Sequence, residues 1–171
     1  MNNQSQSSIK APIEVNAVLV MLKGLLDLTA GPSIRIDLQL SDGAPMIDCD
    51  PDQLEAALLS LAAISRDGTP ASGQLRIETC EAELFVSRPG LWAGRYVVIS
   101  STEVGMPSAA TRSFDDIVSA WKTIRDFVRR STGHMEIHAG VGKGASITLY
   151  LPRADERYVP APHWQAASAA R

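Results

Sequence analysis

The stretch Asp50–Gly73, DPDQLEAALLSLAAISRDGTPASG, divides into a helix and the loop that ends it. Asp50 can accept hydrogen bonds at a helix start, Pro51 suits the first helical position, and Gln53 stands where a capping box has its return partner. Leu54, Ala57, Leu58 and Leu61 recur at three- and four-residue intervals and make one apolar face. The pattern stops at Arg66-Asp67, and Gly68, Pro70 and Gly73 mark the loop.

Upstream, Val15, Val18, Leu22, Leu25 and Leu26 predict a helix from Pro12 to about Ala30, which Gly31-Pro32 ends. Ser33–Leu40 (SIRIDLQL) alternates apolar and polar residues as a half-buried strand does, and Pro45–Cys49 predicts a short second strand. Downstream, Gln74–Val86 predicts a hairpin with LRIET and ELFV as its strands, and Arg95–Ser100 another strand. Ser113 opens a third helix with Asp115 and Asp116 in its first turn. Arg129 and Arg130 close it, with Gly133 just beyond, all in agreement with the helix dipole. Its buried stripe is Ile117, Trp121, Ile124 and Val128. His134–His138 and Ser146–Leu151 then form a terminal hairpin. Three helices and several strands, paired between sequence neighbours, predict a two-layer α/β sandwich: a mixed sheet covered on one face by about three helices. The predicted boundaries are a disordered leader over 1–10, one domain over 11–154 and a flexible tail over 155–171.

The chain has 171 residues and a net charge of -3. That length supports one domain with a real core. No basic block exceeds Arg129-Arg130, so nothing favours nucleic acid. No apolar run approaches the ~20 residues of a membrane span, and the polar start lacks a signal peptide, so the expected location is the cytoplasm. Cys49 and Cys80 show no metal or disulfide spacing and are expected to be buried thiols in a reducing compartment.

Three further boxes join the Asp50 helix in order: Tyr96–Pro107 (YVVISSTEVGMP), Thr123–His134 (TIRDFVRRSTGH) and Gly140–Pro152 (GVGKGASITLYLP). As a set they resemble the catalytic ATP-binding domain of sensor histidine kinases, of the superfamily that includes gyrase- and Hsp90-type ATPases. The resemblance covers about residues 12–153. It implies the Bergerat-type sandwich already read from the pattern, and a nucleotide pocket.

The departures fall on that pocket. Ala57–Gly73 aligns without a gap to a family pattern close to ALLNLVVNARDAMPDGG. By the resemblance, the second Asn orients Mg²⁺, and here it is Ile64, which has no oxygen to offer a hard cation. The first Asn is Ser60. Arg66 and Asp67 survive, either as a structural cap or ion pair or as residual ligands. In the DxGxG box, the Asp that accepts from the adenine amino group is Ser101, the first Gly is Glu103, and only Gly105 is kept. A gapped alignment puts Glu103 at the Asp position instead, but loses the following glycine. The Thr that helps bind adenine is Ala145. Active relatives carry a glycine-rich lid before the third helix; here only Met106–Ser113 stands there, with no glycine. Losing the adenine Asp and the Thr would weaken nucleotide binding by ~10²–10⁴-fold.

Other signals have plainer readings. Gly140–Gly144 fails the P-loop spacing and joins two strands, so it predicts a hairpin turn. No His precedes His134 and no dimerisation helix pair fits before Pro12, so the sequence predicts no autophosphorylation in cis. His134 and His138 share a strand face as surface or structural histidines. Glu81 and Glu83 form a solvated face, Trp121 belongs to the core, and Trp92 is the better exposed anchor.

Two functions follow. In the first, the chain is a catalytically inactive histidine-kinase-type domain used as an interaction module, binding a response regulator, a kinase or phosphotransferase partner, or a second copy in a homodimer. It has no resident cofactor, and ATP or ADP with Mg²⁺ is at most a weak ligand at the vestigial pocket of Ser60, Ile64, Asp67, Ser101, Glu103, Gly105 and Ala145. In the second, it is a divergent ATP-binding kinase domain acting in trans on a partner's His or Ser.

Overall fold

The computed structural model describes residues 10–43, 45–66, 73–87, 89–104, 114–140 and 144–154. In chain order the elements are β1 (Ala11–Glu14), α1 (Val15–Ala30), β2 (Ile34–Gln39), β3 (Met46–Cys49), α2 (Pro51–Arg66), β4 (Gly73–Leu84), β5 (Gly94–Val104), α3 (Phe114–Arg130), β6 (His134–Gly140) and β7 (Gly144–Pro152). Five strands form a mixed sheet in the order β2-β4-β5-β7-β6, parallel between β2 and β4 and antiparallel elsewhere. The three described helices cover one face of it, as the pattern predicts. β1 and β3 make a separate antiparallel pair, bridged to the main sheet through Ile47 and Arg153.

The core lies between helices and sheet. Leu54, Ala57, Leu58 and Leu61 of α2 are fully buried there, against Leu75 and Ile77 of β4, Val97 and Ile99 of β5, and Ile147 and Leu149 of β7. Alternation along each strand sends these residues to one face and their neighbours to the other. The α2 start matches its reading with one change: Asp50 Oδ1 accepts from the Asp52 amide at 3.0 Å. Gln53 Nε2 reaches the Asp50 carboxylate at 2.8 Å.

Several expectations need correction. The first helix begins at Val15, because Ala11–Glu14 pairs with β3 instead. Its inward residues are Val15, Leu19, Leu22, Leu26 and Ala30, while Leu25 turns outward. Residues 73–84 form one strand rather than a hairpin: they hold no turn residue after Gly73, and the chain reverses only in the loop containing Pro89 and Gly90. Of the two thiols, Cys49 is buried but Cys80 is exposed on the sheet's outer face, opposite Val98. After α3 the left-handed residue is Thr132 (φ 54°), not Gly133. Gly133 is required for a different reason, since a Cβ there would lie 2.5 Å from the Tyr150 carbonyl oxygen. The leader over residues 1–9 and the tail from 155 lie outside the described residues.

One polar staple runs through this packing. Asn16, buried at the start of α1, donates to the Ser41 carbonyl at 3.0 Å and accepts from Thr79 Oγ1 at 2.8 Å. Thr79 Oγ1 in turn accepts from the Ser41 amide at 3.0 Å. The staple fixes α1, β4 and the turn after β2 to one another.

Candidate functional site

The predicted pocket residues come from the C-terminal half of α2, the C-terminal half of β5 and the start of β7. On α2, Ser60 is half-buried and its Oγ donates to the Ala56 carbonyl at 2.7 Å, a bond back into its own helix. Ile64, one turn later, packs in the main core cluster with Ile77, Ile99 and Ile147. On β5, Ser101 pairs with Ile77 on one side and Ile147 on the other, and Glu103 with Leu75. Strand alternation puts Ser101 and Glu103 on the face that carries Val97 and Ile99, the face under the helices.

All three side chains are almost fully covered: Ile64 is 4% exposed, Ser101 3% and Glu103 7%. Glu103 is the one charged side chain buried among the described residues. A buried carboxylate is costly without hydrogen-bond partners, and Glu103 has an interaction. Ala145 pairs with Ala139 at the β7 end of the terminal hairpin. Asp67 and Gly105, and the segment 105–113 that stands in place of a lid, lie outside the described residues.

The geometry therefore brings Ile64, Ser101 and Glu103 onto one shared side of the sheet and gives that side an apolar lining. An isoleucine in the core supplies no oxygen to Mg²⁺, and a serine hydroxyl is shorter than the carboxylate expected to reach an adenine amino group. Glu103 adds a carboxyl group on the same face. Of these three positions Ile64 offers a cation no ligand, and the oxygen groups on this face are the Ser101 hydroxyl and the Glu103 carboxyl.

Sequence reasoning missed two features near this region. One is the inward direction of Glu103, which period-two alternation from Val97 could have shown. The other is a second small core on the outer face of the sheet, where Leu91, Tyr96 and Val98 pack with Ala82, Leu84 and Tyr150. The Tyr96 and Tyr150 rings meet edge to face at 6.2 Å, and Tyr96 Oη donates to the Trp92 carbonyl at 2.9 Å. Leu91 is buried and Trp92 exposed, as the anchor reading requires, while Trp121 packs against the main core.

His134 and His138 flank Glu136 on the outer face of β6, with Nε2 atoms 3.9 and 3.8 Å from its carboxylate oxygens. Tyr150 Oη donates to the same carboxylate at 3.3 Å. The two backbone positions lie about 13 Å apart along the strand, and both imidazoles lean toward the one carboxylate between them. No three-ligand metal cluster occurs among the described residues, and no described helix is long and apolar enough to cross a membrane.

No family model matches the chain. Solved structures do. The mycobacterial sensor histidine kinase MprB is similar over 85% of this chain and 98% of its own, with a TM-score of 0.66 and 13% identity. Full-length ShkA in complex with AMPPNP matches over 84% of this chain, with a TM-score of 0.63 and 20% identity; the match spans only 31% of ShkA. The histidine kinase AdeS from Acinetobacter baumannii matches over 89% of this chain and 71% of its own, with a TM-score of 0.56 and 13% identity.

Proposed function

From a histidine-kinase-type ATPase fold, we propose that this chain acts in two-component signalling as a catalytically inactive interaction domain, docking to a response regulator or to a kinase or phosphotransferase partner. The observation that carries this reading is Ile64. At the position where the resemblance expects the Mg²⁺ ligand, the chain has an isoleucine that is 4% exposed and packed into the core. Phosphoryl transfer rests on positioning and charge neutralisation, so loss of the cation's ligand removes the main source of rate. Ser101 and Ala145 at the adenine-binding positions point the same way. The core pattern of α2 and the sheet is intact, so what is kept is a surface and a scaffold.

A second reading, a divergent nucleotide-binding domain that phosphorylates a partner in trans, draws on Glu103. Its buried carboxylate shares a face with Ser101, two residues along β5, where a shifted adenine acceptor would stand. ShkA, on the same fold, holds AMPPNP. The two readings separate in an ATP turnover assay with Mg²⁺. The first predicts no phosphate release above buffer. A rate that Glu103→Gln or Ser101→Ala abolishes would overturn it.

A further inference from the structure

Helix α3 turns Ile124, Phe127 and Val128 into the core and packs over β6 and β7. At 3.6 residues per turn, Lys122, Arg125 and Arg129 share the opposite side, within an arc of about 60° and over about 10 Å of helix axis. All three are exposed. Arg130 stands beside them, and Lys10 joins the cluster by donating its ammonium to the Arg130 carbonyl. One carboxylate, Asp126, shares the face and meets Arg129 at 3.5 Å. Among the described residues, the Lys122, Arg125 and Arg130 side chains have no ion-pair partner.

Five cations and one carboxylate leave this face at +4 on a chain whose net charge is -3, so the remaining residues carry -7. The helix dipole accounts for Arg129, Arg130 and Lys10 at the last turn, but its effect fades before Arg125 and Lys122. Lys122 and Arg125, and Arg125 and Arg129, are like-charge neighbours at three- and four-residue spacing, which weakens a helix. A solvated face mixes its signs instead, as α1 does where Lys23 meets Asp27 at 2.6 Å. Neither the core nor the helix asks for cations at these positions. An external group of opposite charge is what they suit.

We propose that the exposed face of α3 is a docking surface for a partner protein that presents a cluster of carboxylates. This surface rests on the interaction-domain reading above and names the chemistry of its partner. Three of the five cations are guanidinium groups, each able to hold both oxygens of one carboxylate. Nucleic acid and anionic bilayers are extended polyanions, and would also meet the -7 carried by the rest of the chain. The exposed stripe has no apolar side chain to enter a bilayer. A local acidic patch on a protein avoids both objections. Exposed ion pairs are individually weak, so the contact is reversible and salt-dependent.

Fluorescence anisotropy of a labelled decaglutamate peptide, titrated with the full chain at about 20 mM salt, tests this. A Kd of about 0.1–1 mM is expected, weakened ~10-fold or more at about 200 mM salt. Arg125→Glu and Arg129→Glu, with unchanged circular dichroism, are each expected to weaken binding ~5-fold or more, and Asp126→Asn to strengthen it about twofold. Arg35→Glu makes the same change in net charge on β2, at the far edge of the sheet from β6, and leaves the affinity unchanged. The ATP turnover assay reads the pocket and this titration reads α3, so either reading can fail while the other stands. A wild type that leaves the peptide free at millimolar protein overturns the proposal. So does a loss on Arg35→Glu equal to that on Arg125→Glu. Tighter binding to a short DNA duplex or to phosphatidylserine vesicles, abolished by Arg125→Glu, would overturn it in favour of a polyanion.

Discussion

Ser101 faces Ile147 directly across β5 and β7, with Ile77 on its other side, and all three point under the helices. The residue expected to accept from a base amino group is thus a short hydroxyl between two isoleucines. A third, Ile64, belongs to the same core. Ser101 thus stands within the hydrophobic layer under the helices, with Glu103 two residues along the same face of β5.

If Ile64 serves packing alone, Ile64→Asn restores the family's residue at a cost. We expect about 2–4 kcal/mol of destabilisation, from lost apolar burial and a buried amide. Urea unfolding would measure it as a lower midpoint at unchanged slope. Millimolar Mg²⁺–ADP is expected to give neither protein any thermal stabilisation; a clear rise for the variant would mean the rest of the pocket is intact.

The Asn16–Thr79 bond tests the polar staple. Asn16→Leu leaves the Ser41 carbonyl and Thr79 hydroxyl without their partner and should cost about 2–3 kcal/mol. Thr79→Val should cost about 1–2 kcal/mol. The two are in contact, so a double-mutant cycle is expected to be non-additive. Additive losses would show that the bond contributes nothing to stability.

The α3 end gives a pair of opposite changes. Thr132 is β-branched yet left-handed, so Thr132→Gly relieves strain and should stabilise by about 1 kcal/mol. Gly133→Ala pushes a methyl against the Tyr150 carbonyl and should destabilise by about 1–3 kcal/mol. Thermal unfolding of the two variants reads both signs.

Much of this fold is legible in the sequence, and the reasons for the failures are physical. The α2 face and cap could be read because periodicity and capping chemistry agree locally. The inward side of α1 could not, because both its sides are apolar and periodicity alone cannot say which is covered. Strand β4 passed for a hairpin since its pairing with β5 is set by the distant loop at Pro89–Gly90. At the site, the identities Ile64, Ser101 and Glu103 were plain; that Glu103 is buried depends on the sheet's neighbours.

The cysteines carry a pH prediction. Burial, and secondarily the Asp50 and Asp48 carboxylates, pushes the Cys49 thiol up to about 12. Burial also raises Cys80, though it is exposed. A group that holds its proton more tightly when folded contributes stability that is full below its unfolded pKa of about 8.5 and is lost as pH rises toward 12. Stability should therefore fall from about pH 9 upward, and Cys49→Val should flatten the decline. Under native conditions a thiol reagent should label Cys80 and spare Cys49; equal labelling would contradict the burial of β3.

The most direct test of the central claim is calorimetric titration of the folded chain with ADP and a non-hydrolysable ATP analogue, with and without Mg²⁺. A catalytically inactive interaction domain is expected to give no binding heat up to millimolar ligand, and no effect of Mg²⁺. Micromolar affinity that strengthens with Mg²⁺ would contradict it, and would mean that a nucleotide site persists despite Ile64 and Ser101.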